Sequence, residues 1–237
     1  MPSRRAVRPI PWLDHDDPFP PVGLARDDLG GVLAAGADLS PQRLLDAYAR
    51  GVFPWYSPDD PILWWSPDPR MVLPLEELHI SRSLARRMRT AGFEQRINGA
   101  FREVVQRCAE PRPGQSGTWI LPEMIEAYVR LHDIGHALSS ETWLNGQLVG
   151  GLYGVLIGRM FFGESMFTRV PDASKAALVH LARRLHLAGV PMIDCQQQTR
   201  HLATLGARPI ARQTFCKAVA ELVAHPTNVD LIVGRIV

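Results

Sequence analysis

Two short stretches put proton-handling groups where apolar residues would be expected. In "MFFGESMF" (160–167) Glu164 interrupts an aromatic, strand-like run. In "IDCQ" (193–196) Asp194 follows Met192 and Ile193 at the end of another such run, with Gln196 two residues on. A carboxylate among apolar neighbours is costly unless it is paired or put to use. On the residues alone two readings stand. Asp194 and Glu164 take part in chemistry, or Asp194 caps the next helix and Glu164 sits in a salt bridge.

A third stretch, "GVFPWYSPDDPILWWSPDPR" (51–70), holds three of the chain's six tryptophans and five of its twenty prolines. Proline fixes φ and removes a backbone donor, so this segment is no helix interior or central strand and reads as an ordered loop. Its flat aromatic faces suit core plugging, protein docking or stacking on nucleobases. Residues 81–112 carry eight arginines against three glutamates, although the formal net charge is only +2. In "SRSLARRMRTAG" Ser81 is placed as an N-cap, and Leu84 and Met88 lie four apart, so Arg82, Arg86, Arg87 and Arg89 face outward. That face is either simply solvated or an anchor for phosphates.

Other chemistries find less support. "HDIGH" (132–136) lacks the glutamate of a zincin and the further ligands of an HD site, and reads as a helix end stopped at Gly135. "GVLIGRMFFGES" has neither nucleotide-binding glycine spacing, and no GxSxG frame surrounds Ser165. Cys108, Cys195 and Cys216 form no CxxC pair, which argues against a disulfide framework or a zinc site. With 237 residues, 46% of them apolar, the chain can bury a substantial core. The run "LVGGLYGVLIG" is too short and glycine-rich to cross a bilayer, and the first twenty residues lack a signal peptide's apolar core. A soluble, cytoplasmic protein is the expectation, with a monomer as its default state.

These groups need elements to position them. The first forty residues, rich in proline and aspartate, are expected to wrap the surface as extended chain. "LSPQRLLDAYARG" predicts a helix with Ser40 as cap, Pro41 in the first turn and Gly51 as stop. Helices are also expected over 98–110 and 121–137, with "PRPGQSG" (111–117) as a flexible connector. Then "ALSSETWL", "QLVGGLYGVLI" and "MFFGESMF", separated by the turns "NG" and "GR", predict a three-stranded meander. An amphipathic helix follows at 172–189, with Ala177, Leu178, Leu181 and Leu185 inward, and then a buried strand over 190–195. Helical patterns at 199–206 and 212–225 lead into a tail, "NVDLIVGRIV", that reads as a strand. The fold class is α/β (α+β), with an α-rich N-terminal lobe (1–110) and a mixed C-terminal lobe (111–237).

Taken together and in order, the Pro/Trp-rich segment, "GTWI" (117–120), "EAYVRLHDIGHA" (126–137), "GGLYGV" (150–155), "FFGESMF" (161–167) and "IDCQ" closely resemble the leucyl/phenylalanyl-tRNA–protein transferase family. The resemblance implies transfer of leucine or phenylalanine, and also methionine, from charged tRNA to the N-terminal arginine or lysine of a protein, marking it for N-end rule degradation. It also implies a C-terminal lobe like the acyl-CoA N-acetyltransferase fold, although no CoA pyrophosphate loop is visible. By position it implies donor binding by Tyr48, Trp55, Trp119 and Tyr128, and an apolar amino-acid pocket drawn from Leu152, Phe161, Met166 and Ile193. Arg82, Arg86, Arg87 and Arg89 become the RNA anchor. The amide oxygen of Gln196 would accept an amine proton while Asp194 orients the amide and Glu164 helps hold the cationic acceptor. Proton handling by the terminal ribose hydroxyl is the alternative. Aminolysis of a ready-made ester requires neither ATP nor metal, so no cofactor is expected. Leu138 stands where the family frequently has histidine, and "QQTR" (197–200) matches no family pattern. An acyl-CoA-dependent N-acyltransferase and a noncatalytic RNA-binding module are the competing readings.

Overall fold

A computed structural model describes residues 9–111 and 118–234. The connector expected at 111–117 lies, from residue 112 on, outside the described residues. Two sheets organise the chain. A small sheet has the order β1 (Trp12–Leu13), β2 (Val32–Gly36), β4 (Leu63–Trp65), β3 (Phe53–Pro54). The large sheet has seven strands: β11 (Arg208–Ile210), β5 (Arg70–Pro74), β10 (Met192–Gln196), β9 (Met160–Thr168), β8 (Gln147–Ile157), β7 (Ala137–Leu144) and β6 (Glu94–Ile97). Its pairs are antiparallel except β9 with β10, which run parallel.

The meander forms at the expected turns. Asn145 and Gly146 have φ of 51° and 75°, the doubly left-handed conformation that closes a two-residue hairpin, and Gly158 has φ of 53° in the next turn. Alternation along β8 sends Leu152 and Leu156 to one face and Tyr153 and Val155 to the other, so each face of the sheet builds its own core. Gly154 between them is obligatory, because a Cβ there would lie 2.2 Å from the Phe162 carbonyl oxygen. One face is covered by α1 (Pro41–Ala49), α3 (Phe101–Ala109) and α4 (Pro122–Asp133), with Phe215 and Val219 of α7 (Arg212–Leu222) in the same core. The other is covered by α5 (Ala173–Leu187), with α2 (Arg82–Thr90) and α8 (Asp230–Val233) packed against it. A four-residue helix, α6 (Arg200–Ala203), follows β10.

The caps behave as the sequence suggests. Ser40 Oγ accepts the Arg43 N–H at the start of α1, and Ser81 Oγ accepts the Leu84 N–H at the start of α2. Gly51 and Gly189 adopt left-handed φ just past α1 and α5, and Gly135 does so past α4, where His132 Nδ1 meets the Ala137 carbonyl.

Three expectations are corrected. Residues before forty do not merely wrap the surface: β2 is buried along its whole length. The Pro/Trp-rich segment is not all loop, since β4 is central in the small sheet; its prolines flank the strand and leave the donors of Leu63–Trp65 free to pair. The described part of the tail, up to residue 234, forms α8 rather than a strand, seated beside α5 with Ile232 buried, and residues 235–237 lie outside the described residues. The part before residue 110 holds the short strands β1 to β6 beside α1, α2 and α3. Moreover, β5 and β6 belong to the large sheet, which therefore draws strands from both sides of residue 110.

Candidate active site

The parallel pairing of β9 with β10 covers only Phe161 with Ile193 and Phe162 with Asp194. β9 then runs on to Thr168 against β8, while β10 ends at Gln196 against β5. The two strands part, and a cleft of about 720 Å³ opens in the fork.

Each strand is irregular at the fork. Pairing of β8 with β9 jumps from Gly154–Gly163 to Tyr153–Ser165, leaving Glu164 as the extra residue of a bulge. Pairing of β10 with β5 jumps from Asp194 to Gln196, leaving Cys195 as the extra residue. Bulges re-aim side chains and end regular pairing. Here the parity of β9 reverses: Phe161 before the bulge and Met166 after it share one core, Phe162 and Phe167 the other. Gln196, a non-glycine residue, is held at φ of 59°, a left-handed conformation that costs about 1–2 kcal/mol and needs support.

Asp194 gives that support. Its Oδ1 accepts the Gln196 N–H at 2.9 Å, and its two oxygens accept the Nε and Nη2 hydrogens of Arg70 at 2.8 and 2.7 Å. Both side chains are wholly buried. The Arg70 guanidinium lies between the rings of Phe53 and Phe215, 4.7 and 4.5 Å from their centroids, and its Nη1 donates to the Gly51 carbonyl at 3.1 Å.

Glu164 is buried beside this pair. Its Oε2 accepts the Tyr128 hydroxyl at 2.7 Å and its Oε1 accepts Gln196 Nε2 at 2.8 Å. Burial pushes its carboxyl up to about 7; Asp194 adds to the rise, while the Tyr128 and Tyr48 hydroxyls and Arg70 oppose it. Thus Glu164, and not the expected Asp194, orients the Gln196 amide, because Arg70 occupies Asp194. Each Glu164 oxygen thus already accepts one hydrogen bond from within the protein. The Gln196 amide nitrogen gives one hydrogen to Glu164, and its oxygen is the amide atom left to accept a hydrogen bond in the cleft.

Trp55, Trp119, Leu152, Met166 and Ile193 all line the cleft, together with Glu164, Asp194 and Gln196. Trp55 is 37% exposed, stands 5.5 Å from Trp65 at 60°, and is tied to it by the Trp65 Nε1 hydrogen on its carbonyl. Trp64 is a core residue that donates to the Gly36 carbonyl. Phe161 is not on the wall, because it precedes the fork and remains sealed against Ile193. Tyr48 and Tyr128 also lie off the wall, fully buried behind Glu164, with their hydroxyls 2.6 Å apart. Arg82, Arg86, Arg87 and Arg89 are exposed on α2, and none of them lines the cleft.

Sequence reasoning missed Arg70; its only signal was a charge opening the apolar run "MVLPL". It also missed the α5 wall, Ser174 and Leu178, and the rim, where Glu110 accepts from both Arg107 and Arg169. Among the described residues no group of three or more His, Cys, Asp or Glu side chains is placed to hold a metal, and no helix is long and apolar enough to cross a membrane.

Residues 72–220 match the family model described as leucyl/phenylalanyl-tRNA protein transferase, and residues 37–68 match that of its N-terminal domain. The chain belongs to this family. The two matches share the site, with Trp55 in the first segment and Trp119, Glu164, Asp194 and Gln196 in the second. A leucyl/phenylalanyl-tRNA–protein transferase of Chromobacterium violaceum is 58% identical over 92% of this chain and 93% of its own length. One from Thiobacillus denitrificans is 61% identical over 88% and 91%. The chain is therefore an enzyme, an aminoacyltransferase. Among solved structures, FemX covers 76% of this chain and 71% of its own with 12% identity and a TM-score of 0.49. A GCN5-related N-acetyltransferase-like protein from Streptococcus suis gives a TM-score of 0.35 at 16% identity, over 71% of this chain and 63% of its own. Likeness at that level carries no argument about activity.

Proposed function

We propose that this enzyme moves leucine or phenylalanine, and also methionine, from charged tRNA to the N-terminal arginine or lysine of acceptor proteins, marking them for N-end rule degradation in the cytoplasm. The observation that carries the reading is the side-chain amide of Gln196, oriented by Glu164 on a residue whose backbone N–H Asp194 accepts, at the fork of an apolar cleft. The donor's terminal adenosine packs on Trp55 and Trp119. Its amino-acid side chain enters between Leu152, Met166 and Ile193, where methionine's flexible thioether adapts to unlike shapes.

The reaction is aminolysis. The acceptor's neutral α-amine forms a C–N bond with the ester carbonyl carbon, and the bond to the terminal ribose oxygen breaks. The amine loses a proton and the ribose oxygen gains one, so the step balances without a cofactor. An α-amine has a pKa of about 7.7–8.0, so a free carboxylate beside it would favour the unreactive cation. A neutral amide oxygen does not. Gln196 Oε1 aligns the amine's lone pair by accepting one of its hydrogens, and the site's further contribution is proximity. The preference for basic acceptors comes from the family, and the arginines of α2 are the natural phosphate contacts outside the cleft.

The test offers the purified enzyme leucyl-tRNA or leucyl-CoA together with peptides beginning Arg, Lys, Asp or Glu. Transfer from tRNA to the Arg and Lys peptides is expected. Transfer from CoA, or from neither donor, refutes the proposal.

A further inference from the structure

Tyr48 of α1 and Tyr128 of α4 bring two wholly buried hydroxyls together behind the cleft, and their hydrogens must have agreed directions. An ionised carboxylate only accepts. Tyr128 therefore gives its hydrogen to Glu164 Oε2, and its oxygen accepts the hydrogen of Tyr48. On the other side, Gln196 must turn its nitrogen to Glu164 Oε1. Along Tyr48, Tyr128, Glu164 and Gln196 every hydrogen points toward the carboxylate, which leaves the amide oxygen for the cleft.

We infer that Tyr128, backed by Tyr48, is a positioning residue that acts through Glu164 to keep the oxygen of the Gln196 amide, and not its nitrogen, turned toward the attacking amine. This rests on the aminolysis reading above. A proton arriving on Glu164 has two places to go. On Oε2 it meets the Tyr128 hydrogen, and both tyrosine hydroxyls must turn round. On Oε1 it meets a single amide, which satisfies the new donor by rotating about its last bond and offering oxygen. The second change disturbs one group instead of two, and it leaves an NH2 facing the amine, where it cannot accept.

The titratable and charged groups around Glu164 are Tyr128 from α4, Tyr48 from α1, Tyr153 from β8, Asp194 from β10 and Arg70 from β5. Arg70 is committed to Asp194 and the Gly51 carbonyl, and the Tyr153 hydroxyl makes no hydrogen bond among the described residues. The tyrosine pair thus supplies the hydroxyl support that favours the ionised carboxylate against its burial.

The test follows single-turnover transfer from leucyl-tRNA to an arginine-starting peptide between pH 6 and 9, in wild type, Tyr128→Phe, Tyr48→Phe and Glu164→Gln. Loss of a hydroxyl donating to a carboxylate raises the carboxyl's pKa by about one unit, so the acidic limb of Tyr128→Phe moves up by about one pH unit. The ratio of wild-type to variant rate is then about eightfold near pH 6.5 and shrinks as the pH rises. Titration of the acceptor amine is common to both and divides out. Tyr48→Phe shifts less in the same direction and carries the test if Tyr128→Phe does not fold. Glu164→Gln loses the limb and keeps only the slope of the amine. A ratio flat across pH would make Tyr128 merely structural. An unmoved limb with a higher KM for charged tRNA at every pH would make it a donor contact. Either result overturns the inference. Wild type that fails to transfer from tRNA at any pH brings down the underlying reaction instead.

Discussion

Replacing Arg70 with methionine isolates the ion pair that supports the site. Methionine keeps an apolar stem between Phe53 and Phe215, but it leaves the buried Asp194 carboxylate with only the Gln196 N–H. Removing one partner of a buried pair costs about 3–5 kcal/mol, a large part of the roughly 5–15 kcal/mol that holds a folded chain together. For a chain of this size that is a fall of about 6–20 °C in the thermal midpoint. The double variant Arg70→Met with Asp194→Leu removes both charges, and replacing a whole buried pair with apolar groups is often close to neutral. It should therefore recover most of the lost midpoint. It should not recover transfer, because the Gln196 N–H then lacks the Asp194 acceptor that supports its left-handed backbone, and a displacement of about 1 Å at a reacting centre costs on the order of 100-fold. Calorimetry and single-turnover transfer on the three proteins read both quantities. A single variant that melts within about 2 °C of wild type, or a double variant with full activity, would refute this account of Arg70.

Three further outcomes follow from the same geometry. Gln196→Ala and Gln196→Gly should both lose transfer, and urea denaturation should find the glycine variant more stable than the alanine one by about 1 kcal/mol, since only alanine keeps a strained φ. The folded-state pKa of Glu164 is raised from 4.5 to about 7, so the folded protein binds the extra proton between those values and Glu164 costs stability as pH rises through that window. Glu164→Gln should therefore gain stability relative to wild type by up to about 3 kcal/mol more at pH 8 than at pH 5, read as a larger rise in melting midpoint at pH 8; an equal effect at both would contradict the assignment. Trp55→Ala should raise KM for charged tRNA by about 5- to 150-fold, matching about 1–3 kcal/mol for one stacked base, while circular dichroism remains native; an unchanged KM removes Trp55 from the donor site.

The meander, the capped helices and the polar residues at 164, 194 and 196 were legible because each has a local cause: a turn pair, a cap, or a polar residue in an apolar run. What escaped depends on distant partners. Arg70 looks like a surface charge until Phe53, Phe215 and Asp194 close around it. The strands β1 to β6 are two to five residues long and carry too little alternation to be seen. The family resemblance implied donor binding by Tyr48 and Tyr128, but nothing local shows that they lie behind Glu164 rather than on the wall. Phe161 failed for a related reason. A strand pattern gives the face of a side chain, not where along the strand a neighbour departs, and Phe161 stands just before that point.

The departure of β10 from β9 also explains why the polar groups lie where they do. Parting strands leave backbone donors and acceptors without ladder partners, so the chain must bend away or find other bonds. Both happen here within a few residues: a bulge at Glu164 on one arm, a bulge at Cys195 on the other, and the Asp194 carboxylate standing in for a ladder acceptor at the Gln196 N–H. The same bulge on β9 that exposes Glu164 to Gln196 reverses strand parity and brings Met166 to the side of Leu152 and Ile193. A single extra residue therefore builds two parts of the site, the carboxylate that orients the amide and one wall of the apolar pocket. For this reason neither part can be shifted along β9 without the other, and deletion of one residue between Gly163 and Met166 should abolish both amide orientation and amino-acid selectivity together.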